Sequence, residues 1–362
     1  MNDSYCPSNL PLSPGVIDQS CFVEELIDAT VKLEVYKTKI HDSKLDSSLF
    51  MPTLQQKEAL ASSALEGTQA TLDGVLINQV APNGKDKNLN EVNNYNNAAL
   101  EGYKLLRQHV FSHEFFCKLH EILMTGNVRK PAIIGKYRDK QNYIGKSDSS
   151  HVITFVPPAP EEVMPLMGNL IEYINAPADN LRPLVRTAII HAQFETIHPF
   201  MDGNGRVGRM LIPLYLFSQH QIELPCFFIS EALERDKVRY YTLLNNIRYK
   251  DDWNSWIKFF LNTVTKQCTK YIDTISKINS LYERHLGIAR GLIHSSNIVD
   301  VINALYKYPI ISGKKLAEVT GVAQPSVNRY LSQLVDSKIL YSDSKKRNRT
   351  YCYLDLLGIL LS

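Results

Sequence analysis

The sequence predicts a mainly α-helical protein with one small β-hairpin flap and a C-terminal winged helix-turn-helix domain. Three observations predict it. Apolar residues recur at helical spacing through most of 21–279. One stretch, GKYRDKQNYIGKSDSSHVITFVPPAP (135–160), breaks that spacing with two short extended runs and a sharp proline stop, the pattern of a hairpin. The last 70 or so residues then change to helix, helix–turn–helix and two strands around a basic tip.

Residues 1–20 are polar and proline-bearing and read as an irregular lead-in. Helical periodicity covers 21–46, and a second helix is expected from Leu54 to about Glu66, closed by Gly67. Residues 68–80 have room for another turn or two. APNGKDKNLNEVNNY reads as a loop that yields to a helix over 91–107, followed by helices at 111–124, 161–175 and 181–195. An apolar helix runs to about 218, and two or three more cover 229–279. NIVDVINALYKYP, SGKKLAEVTG and VAQPSVNRYLSQLVDSKIL supply the three terminal helices, with a tight turn at Gly321. The expected domains are a helical region at 1–90, a central domain at 91–280 and the winged helix at 281–362.

Composition sets outer bounds. The 362 residues carry 40 basic and 37 acidic side chains, a net charge of +3, so the chain as a whole is no polyelectrolyte binder. Six scattered cysteines without a C-x-x-C pair suit free thiols in a reducing compartment. The N-terminal stretch has no basic-then-apolar signal pattern, and no apolar run approaches membrane-spanning length. Cytoplasm is the expected location, with no membrane partner.

The chemistry concentrates in HPFMDGNGRVGRM, residues 198–210. Gly203 and Gly205 adopt backbone angles that other residues avoid, and at a helix start they turn amide N–H groups outward as an anion cradle. Arg206 and Arg209 lie in the first turns of that helix, the end where the macrodipole disfavours cations. That placement implies an anionic partner, and a polyphosphate suits the bidentate guanidinium fork. Asp202 would repel bare phosphates but fits a Mg²⁺ shared with them. His198, with an ordinary pKa near 6.5, suits proton abstraction from an attacking hydroxyl. The competing readings are a structural histidine, an Asn-Gly turn, surface arginines, or His198 and Asp202 as metal ligands that lack a visible third.

HPFMDGNGRVGR resembles the signature of the Fic family, H-x-F-x-(D/E)-G-N-G-R-x-x-R, and matches it at every defined position. The lead-in LRPLVRTAIIHAQFETIHPF and the flap beginning Gly135, Tyr137 and Arg138 are also similar to that family. The resemblance covers a core of about 100–250. It implies a Fic-type helical core and transfer of AMP from ATP to a Tyr, Ser or Thr hydroxyl of a protein, itself included, with release of pyrophosphate. His198 would be the general base and Phe200 the residue that fixes the loop. Asp202 would hold Mg²⁺, with Mn²⁺ as the alternative metal. Gly203, Asn204 and Gly205 would cradle the phosphates, Arg206 would bind on the β-phosphate side and Arg209 would engage the γ-phosphate. The flap would dock the target backbone as an added strand. Tyr240, Tyr241 and Asn245 (or Asn246) lie where the family places adenine and ribose.

A second match lies upstream. In LASSALEGTQATLDGV, the residues Ser62, Glu66 and Gly67 fit the family's inhibitory pattern (S/T)-x-x-x-E-(G/N). The resemblance implies that Glu66 pairs with Arg209 in cis and misaligns ATP. It also implies a homodimer. In the terminal module, Ser326, Asn328 and Arg329 would face DNA bases, and Lys345, Lys346, Arg347 and Arg349 would meet phosphates. The same surface suits a protein partner. Three alternative functions remain open here: a transcription regulator or interaction protein that uses the core as a nucleotide sensor, a phosphotransferase, and an enzyme that removes AMP.

Overall fold

The computed structural model describes residues 4–43, 45–80, 86–126, 133–145, 153–176, 179–223, 227–343 and 349–361. A single 3-10 turn (Gln19–Phe22) leads into α1 (Val23–His41), α2 (Ser47–Leu65), α3 (Leu72–Val80), α4 (Lys87–Leu106) and α5 (His113–Leu123). The strands β1 (Ile144–Gly145) and β2 (Ile153–Phe155) pair antiparallel, Ile144 opposite Phe155, and form the expected hairpin. Then come α6 (Pro160–Asn175), α7 (Pro183–Ile197), α8 (Asn204–Ser218), α9 (Ser230–Arg235), α10 (Lys237–Lys250) and α11 (Trp253–Leu292). The chain continues with α12 (Ile298–Lys307), β3 (Ile310–Ser312), α13 (Gly313–Thr320), α14 (Gln324–Asp336), β4 (Tyr341–Ser342), β5 (Thr350–Cys352) and α15 (Leu354–Leu361).

The chain divides into two compact units, each assembled from separated segments. The first holds 1–33, 61–68 and 90–267; the second holds 34–60, 69–89 and 268–362. The expected cuts at 90 and 280 therefore fall inside α4 and α11 rather than in linkers. Helix α11 is 40 residues long, and its apolar face continues from Trp256 through Val264 and Tyr271 to Leu281 and Ala289 with no glycine or proline to stop it before Gly287.

In the first unit, α7 and α8 form the central pair. Every residue from Leu184 to Ile197 is buried, as is every residue from Asn204 to Leu216. Helices this enclosed have no polar face, which is why their sequences show little amphipathic period. Phe116 of α5 stacks on Phe194 of α7, and the indole N–H of Trp256 donates to the Ala188 carbonyl. These contacts fix the two helices whose ends carry the chemistry.

In the second unit, β3, β5 and β4 make one antiparallel sheet in the order β3-β5-β4, with Ile311 opposite Tyr351 and Ser342 opposite Tyr351 on its other edge. The order helix, helix–turn–helix, hairpin matches the expectation for 297–354. Strand β3 and helix α15 were not expected; each is short, three and eight residues, and gives no usable period. Leu72 and Leu76 of α3 share a core with Ile310 and Leu357, and Leu60 packs on it. Helix α2 begins at Ser47, earlier than expected, and keeps Pro52 inside it. The buried side chains of Phe50, Met51 and Leu54 offset the lost hydrogen bond at the proline. Likewise α4 begins at Lys87, within the stretch read as loop: Asp86 caps it, its Oδ1 accepting from the N–H groups of Asn88 and Leu89.

On α14, Asn328 and Arg329 are exposed and Ser326 is partly so, but Asn328 accepts from Gln324 and Arg329 lies by the Tyr330 ring. The basic tip residues Lys345, Lys346 and Arg347 lie outside the described residues. Among the described residues no helix is long and apolar enough to cross a membrane.

Candidate active site

Helix α7 stops at His198, which adopts the left-handed conformation (φ 50°, ψ 59°) while its N–H still donates to Phe194. A non-glycine residue held there is uncommon and needs neighbours that hold it. The chain then loops through 199–203 and enters α8 at Gly203, whose φ of +79° suits glycine.

The loop is pinned from several directions. Asn204 closes it from within: its Oδ1 accepts from Phe200 N–H at 2.8 Å and its Nδ2 donates to Phe200 O at 2.7 Å. Its side chain is therefore committed, which leaves only its backbone for the phosphate role the resemblance implied. Arg138 is buried and donates to the carbonyls of His198 (2.9 Å), Pro158 (2.5 Å) and Ile197 (3.4 Å), while its own N–H donates to Pro199 O at 2.9 Å. Tyr137 contacts the His113 ring and lies 5.4 Å from the Phe200 ring. The Gly135 N–H donates to His120 Nδ1 at 3.0 Å. Gly135, Tyr137 and Arg138 thus brace the 198–202 loop, and the Arg138 guanidinium is occupied by backbone carbonyls.

His120 was missed by sequence reasoning. Its ring stacks flat on Phe200, with centroids 3.9 Å apart. Since Nδ1 accepts from Gly135, the proton sits on Nε2, which donates to Asp202 O at 3.1 Å. Asn142, also missed, donates to Phe200 O at 3.0 Å.

His198 itself is partly exposed, and its Nδ1 faces the Glu195 carbonyl at 3.4 Å. Nδ1 must then carry the proton of the neutral ring, so Nε2 keeps its lone pair. Burial, helped by the positive charges of Arg248 and Arg138, pushes the imidazole pKa down to about 3, against the pull of the Glu195 carbonyl and Glu66. A pKa that low leaves the ring uncharged near pH 7.

Arg206 is buried, and its Nε and NH1 have no hydrogen-bond partner. NH1 lies 3.8 Å from Glu91 and NH2 lies 3.7 Å from Asp202, longer than direct bonds. A buried cation with unsatisfied donors at a helix N-terminus is a setting that suits an anion. Asp202 is partly exposed and accepts the Gly203 N–H at 2.6 Å. A single accessible carboxylate fits a Mg²⁺ completed by phosphate oxygens and water. Among the described residues no group of three or more His, Cys, Asp or Glu stands ready to hold a metal.

Arg209 is fully buried and already taken. Its Nε donates to Ser62 Oγ at 2.9 Å, and NH2 donates to Ser62 O at 2.8 Å and Glu66 Oε1 at 2.7 Å. Burial pushes the Glu66 carboxyl up, but the Arg209 guanidinium outweighs it and holds it below the ordinary range, although 36% of that side chain is exposed. Glu66 follows the last helical residue of α2, and Gly67, with φ +88°, turns the chain away. Lys237 donates to the Leu65 carbonyl at 2.8 Å and caps the helix. A Cβ at Gly205 would lie 2.2 Å from Glu66 Oε1 and 2.8 Å from Arg209 NH1. The carboxylate therefore rests against the glycine turn, where the anion cradle was expected. The structure thus brings together Ser62, Glu66, Gly205 and Arg209 across more than 130 positions of sequence.

The adenine and ribose candidates divide. Tyr240 is fully buried and its hydroxyl bonds His191 Nε2 at 2.9 Å, so it is core and not a base contact. Asn245 accepts from Arg248 at 2.9 Å. Tyr241 is 38% exposed and stays available. Glu195, not singled out in sequence, is buried with Oε1 unpartnered, and burial pushes its carboxyl up to about 7.

Two models of one family match the chain: the Fic/DOC family at 110–216 and the Fic/DOC family N-terminal region at 23–104, together just over half of its length. The chain belongs to the Fic/DOC family. It is 33% identical over 109 residues to the protein adenylyltransferase fic-1 of Caenorhabditis briggsae, covering 30% of this chain and 20% of that protein. It is 29% identical over 153 residues to the protein adenylyltransferase Fic of Nematostella vectensis, covering 42% of this chain and 31% of that protein. The chain thus spans a third or less of the curated relatives it matches. A solved Fic family protein from Desulfovibrio desulfuricans G20 shares the fold at a TM-score of 0.56 and 20% identity, over 96% of this chain and 98% of that one.

Proposed function

We propose that this chain is a protein adenylyltransferase that moves AMP from ATP to a hydroxyl side chain of a protein, itself included, and that Glu66 restrains it in cis. The observation that carries the reading is the pairing of a neutral His198, its Nε2 lone pair free, with the unsatisfied donors of Arg206 at the start of α8. The relatives named protein adenylyltransferase support it at family level.

In this reading the target hydroxyl gives its proton to His198 Nε2 as its oxygen attacks the α-phosphorus. The bond between the α-phosphorus and the bridging oxygen breaks, and pyrophosphate departs with the electron pair. Arg206 offers its open N–H groups to the β-phosphate side, and the Gly203–Gly205 backbone offers amides to the same charge. Asp202 would hold a Mg²⁺, which when bound neutralises phosphate charge. Arg209 would take the γ-phosphate once Ser62 and Glu66 let it go. Positioning and charge neutralisation supply the catalysis.

The test uses Glu66→Gly protein with Mg²⁺ and ATP labelled at the α- or, separately, the γ-phosphate. Label retained only from the α position is expected; label retained only from γ would make the chain a phosphotransferase. A second reading, removal of AMP, has one observation in its favour: the Glu66 carboxylate lies within electrostatic range of His198. Release of AMP from the labelled product by wild type but not by Glu66→Gly would establish it.

A further inference from the structure

Arg248 of α10 is held by several partners. It is buried, its Nε donates to Thr196 Oγ1 at 3.3 Å and its NH2 donates to the Glu195 carbonyl at 3.1 Å. Its NH1 donates to Asn245 at 2.9 Å, and its guanidinium carbon lies 3.9 Å from the centre of the Phe155 ring on β2. One cation therefore touches the last turn of α7 and the flap.

The Glu195 carbonyl is the key partner. Within a continuing helix it would accept from the N–H of residue 199. That residue is Pro199, which has no N–H, so the carbonyl is left over by the sequence itself. Two groups take it up: Arg248 NH2 at 3.1 Å and His198 Nδ1 at 3.4 Å. The proline after the base thus frees an acceptor for the base, and Arg248 holds that acceptor still. A second donor on the same oxygen also weakens its pull on an imidazolium.

We propose that Arg248 is a positioning residue for the base: it fixes the Glu195 carbonyl as the docking point of the His198 Nδ1–H and ties that point, through the Phe155 ring, to the strand expected to align the target. The proposal rests on His198 being the base. The charged groups that act on His198 are Arg248 from α10, Arg138 from the segment before the flap and Glu66 from the end of α2. The two arginines oppose a proton on the ring, and Glu66, like the Glu195 carbonyl, favours one. Burial remains the largest influence, and Arg248 is the largest charged one.

The experiment titrates His198 by NMR in the full chain with ¹³C-labelled histidine, the signal being identified by its loss in His198→Gln. Arg248→Met keeps the stem and removes the charge and donors; the His198 pKa is expected to rise by about one unit or more, a tenfold change in protonated fraction. Arg248→Lys keeps the charge but not the fork that reaches two acceptors while lying over a ring. It is expected to leave the titration near wild type and, in the Glu66→Gly background, to lower self-adenylylation about tenfold. An unchanged His198 titration in Arg248→Met overturns the proposal. Should that variant fail to fold, wild-type self-adenylylation by Arg248→Lys overturns it instead. If Glu66→Gly transfers no α-label at all, the adenylyltransferase reading fails while the titration still decides the role of Arg248.

Discussion

Two regions meet at the head of α8 and are built in opposite ways. The loop from His198 to Asp202 is held by His120, by Arg138 and Asn142 from the segment before β1, and by Asn204 at the start of α8. The end of α2 meets Arg209 through two residues only, Ser62 and Glu66, and one of those is partly exposed. The first region is overdetermined and keeps a left-handed histidine in place. The second is a short, charged contact to a partly exposed carboxylate. In the proposed reading, the first part would hold the base still and the second would let go.

The largest break in that contrast comes from the rigid side. His198→Ala in the Glu66→Gly background should lose about 10²–10⁴ in rate, the usual worth of a general base, with Tm little changed, as measured by α-label transfer and thermal unfolding. Next is release of the restraint. Glu66→Gly should raise self-adenylylation about tenfold, a charge-assisted contact discounted for its exposed side. Equal rates in the two proteins would remove Glu66 from the switch. Ser62→Ala removes one hydrogen bond that the Arg209 guanidinium donates but leaves the Ser62 carbonyl and Glu66 in place, and should raise the same rate only a few fold.

A further effect concerns pH and stability rather than rate. His191 is fully buried, bonded to Gly208 O and Tyr240 Oη, and burial, more than the nearby Arg209, pushes its pKa down to about 3. Unfolded, the ring takes a proton near its ordinary pKa of about 6.5. The unfolded chain therefore binds more protons below that value, and stability is lost as pH falls from about 6.5 toward 3, by up to about 1.4 kcal/mol per pH unit for this group. Unfolding midpoints measured from pH 7 to 5 should fall less steeply in a folded His191→Gln variant. On the same grounds, His198 should show no acid limb in the transfer rate above about pH 5.

The helices of the core, the hairpin and the ends of α7 and α8 were legible because each rests on a local rule: helical period, a proline stop, glycine at a turn. The pairing of Glu66 with Arg209 was legible only through the family resemblance, since nothing in the spacing of either segment points to the other. What stayed hidden was of two kinds. Pro52 lies inside α2 because buried Phe50, Met51 and Leu54 override a local preference. His120 and Asn142 reach the loop, and Arg248 the last turn of α7, from distant segments, and no neighbour in sequence marks them. Tyr240 misled for the same reason: an aromatic at the right distance along the chain says nothing about which way it faces.

The missing side chain at Gly205 has a consequence for heredity. Any substitution there would push Glu66 out, but the same atom would strike Arg209 and fill the turn beside it. A change on the α8 side therefore breaks the lock and the key together. Hyperactive alleles should arise at positions 62 to 66, while selection on 203–209 should return only silent or inactive ones. If Glu66 restrains the site as proposed, that restraint would be mutable from one side only, the end of α2.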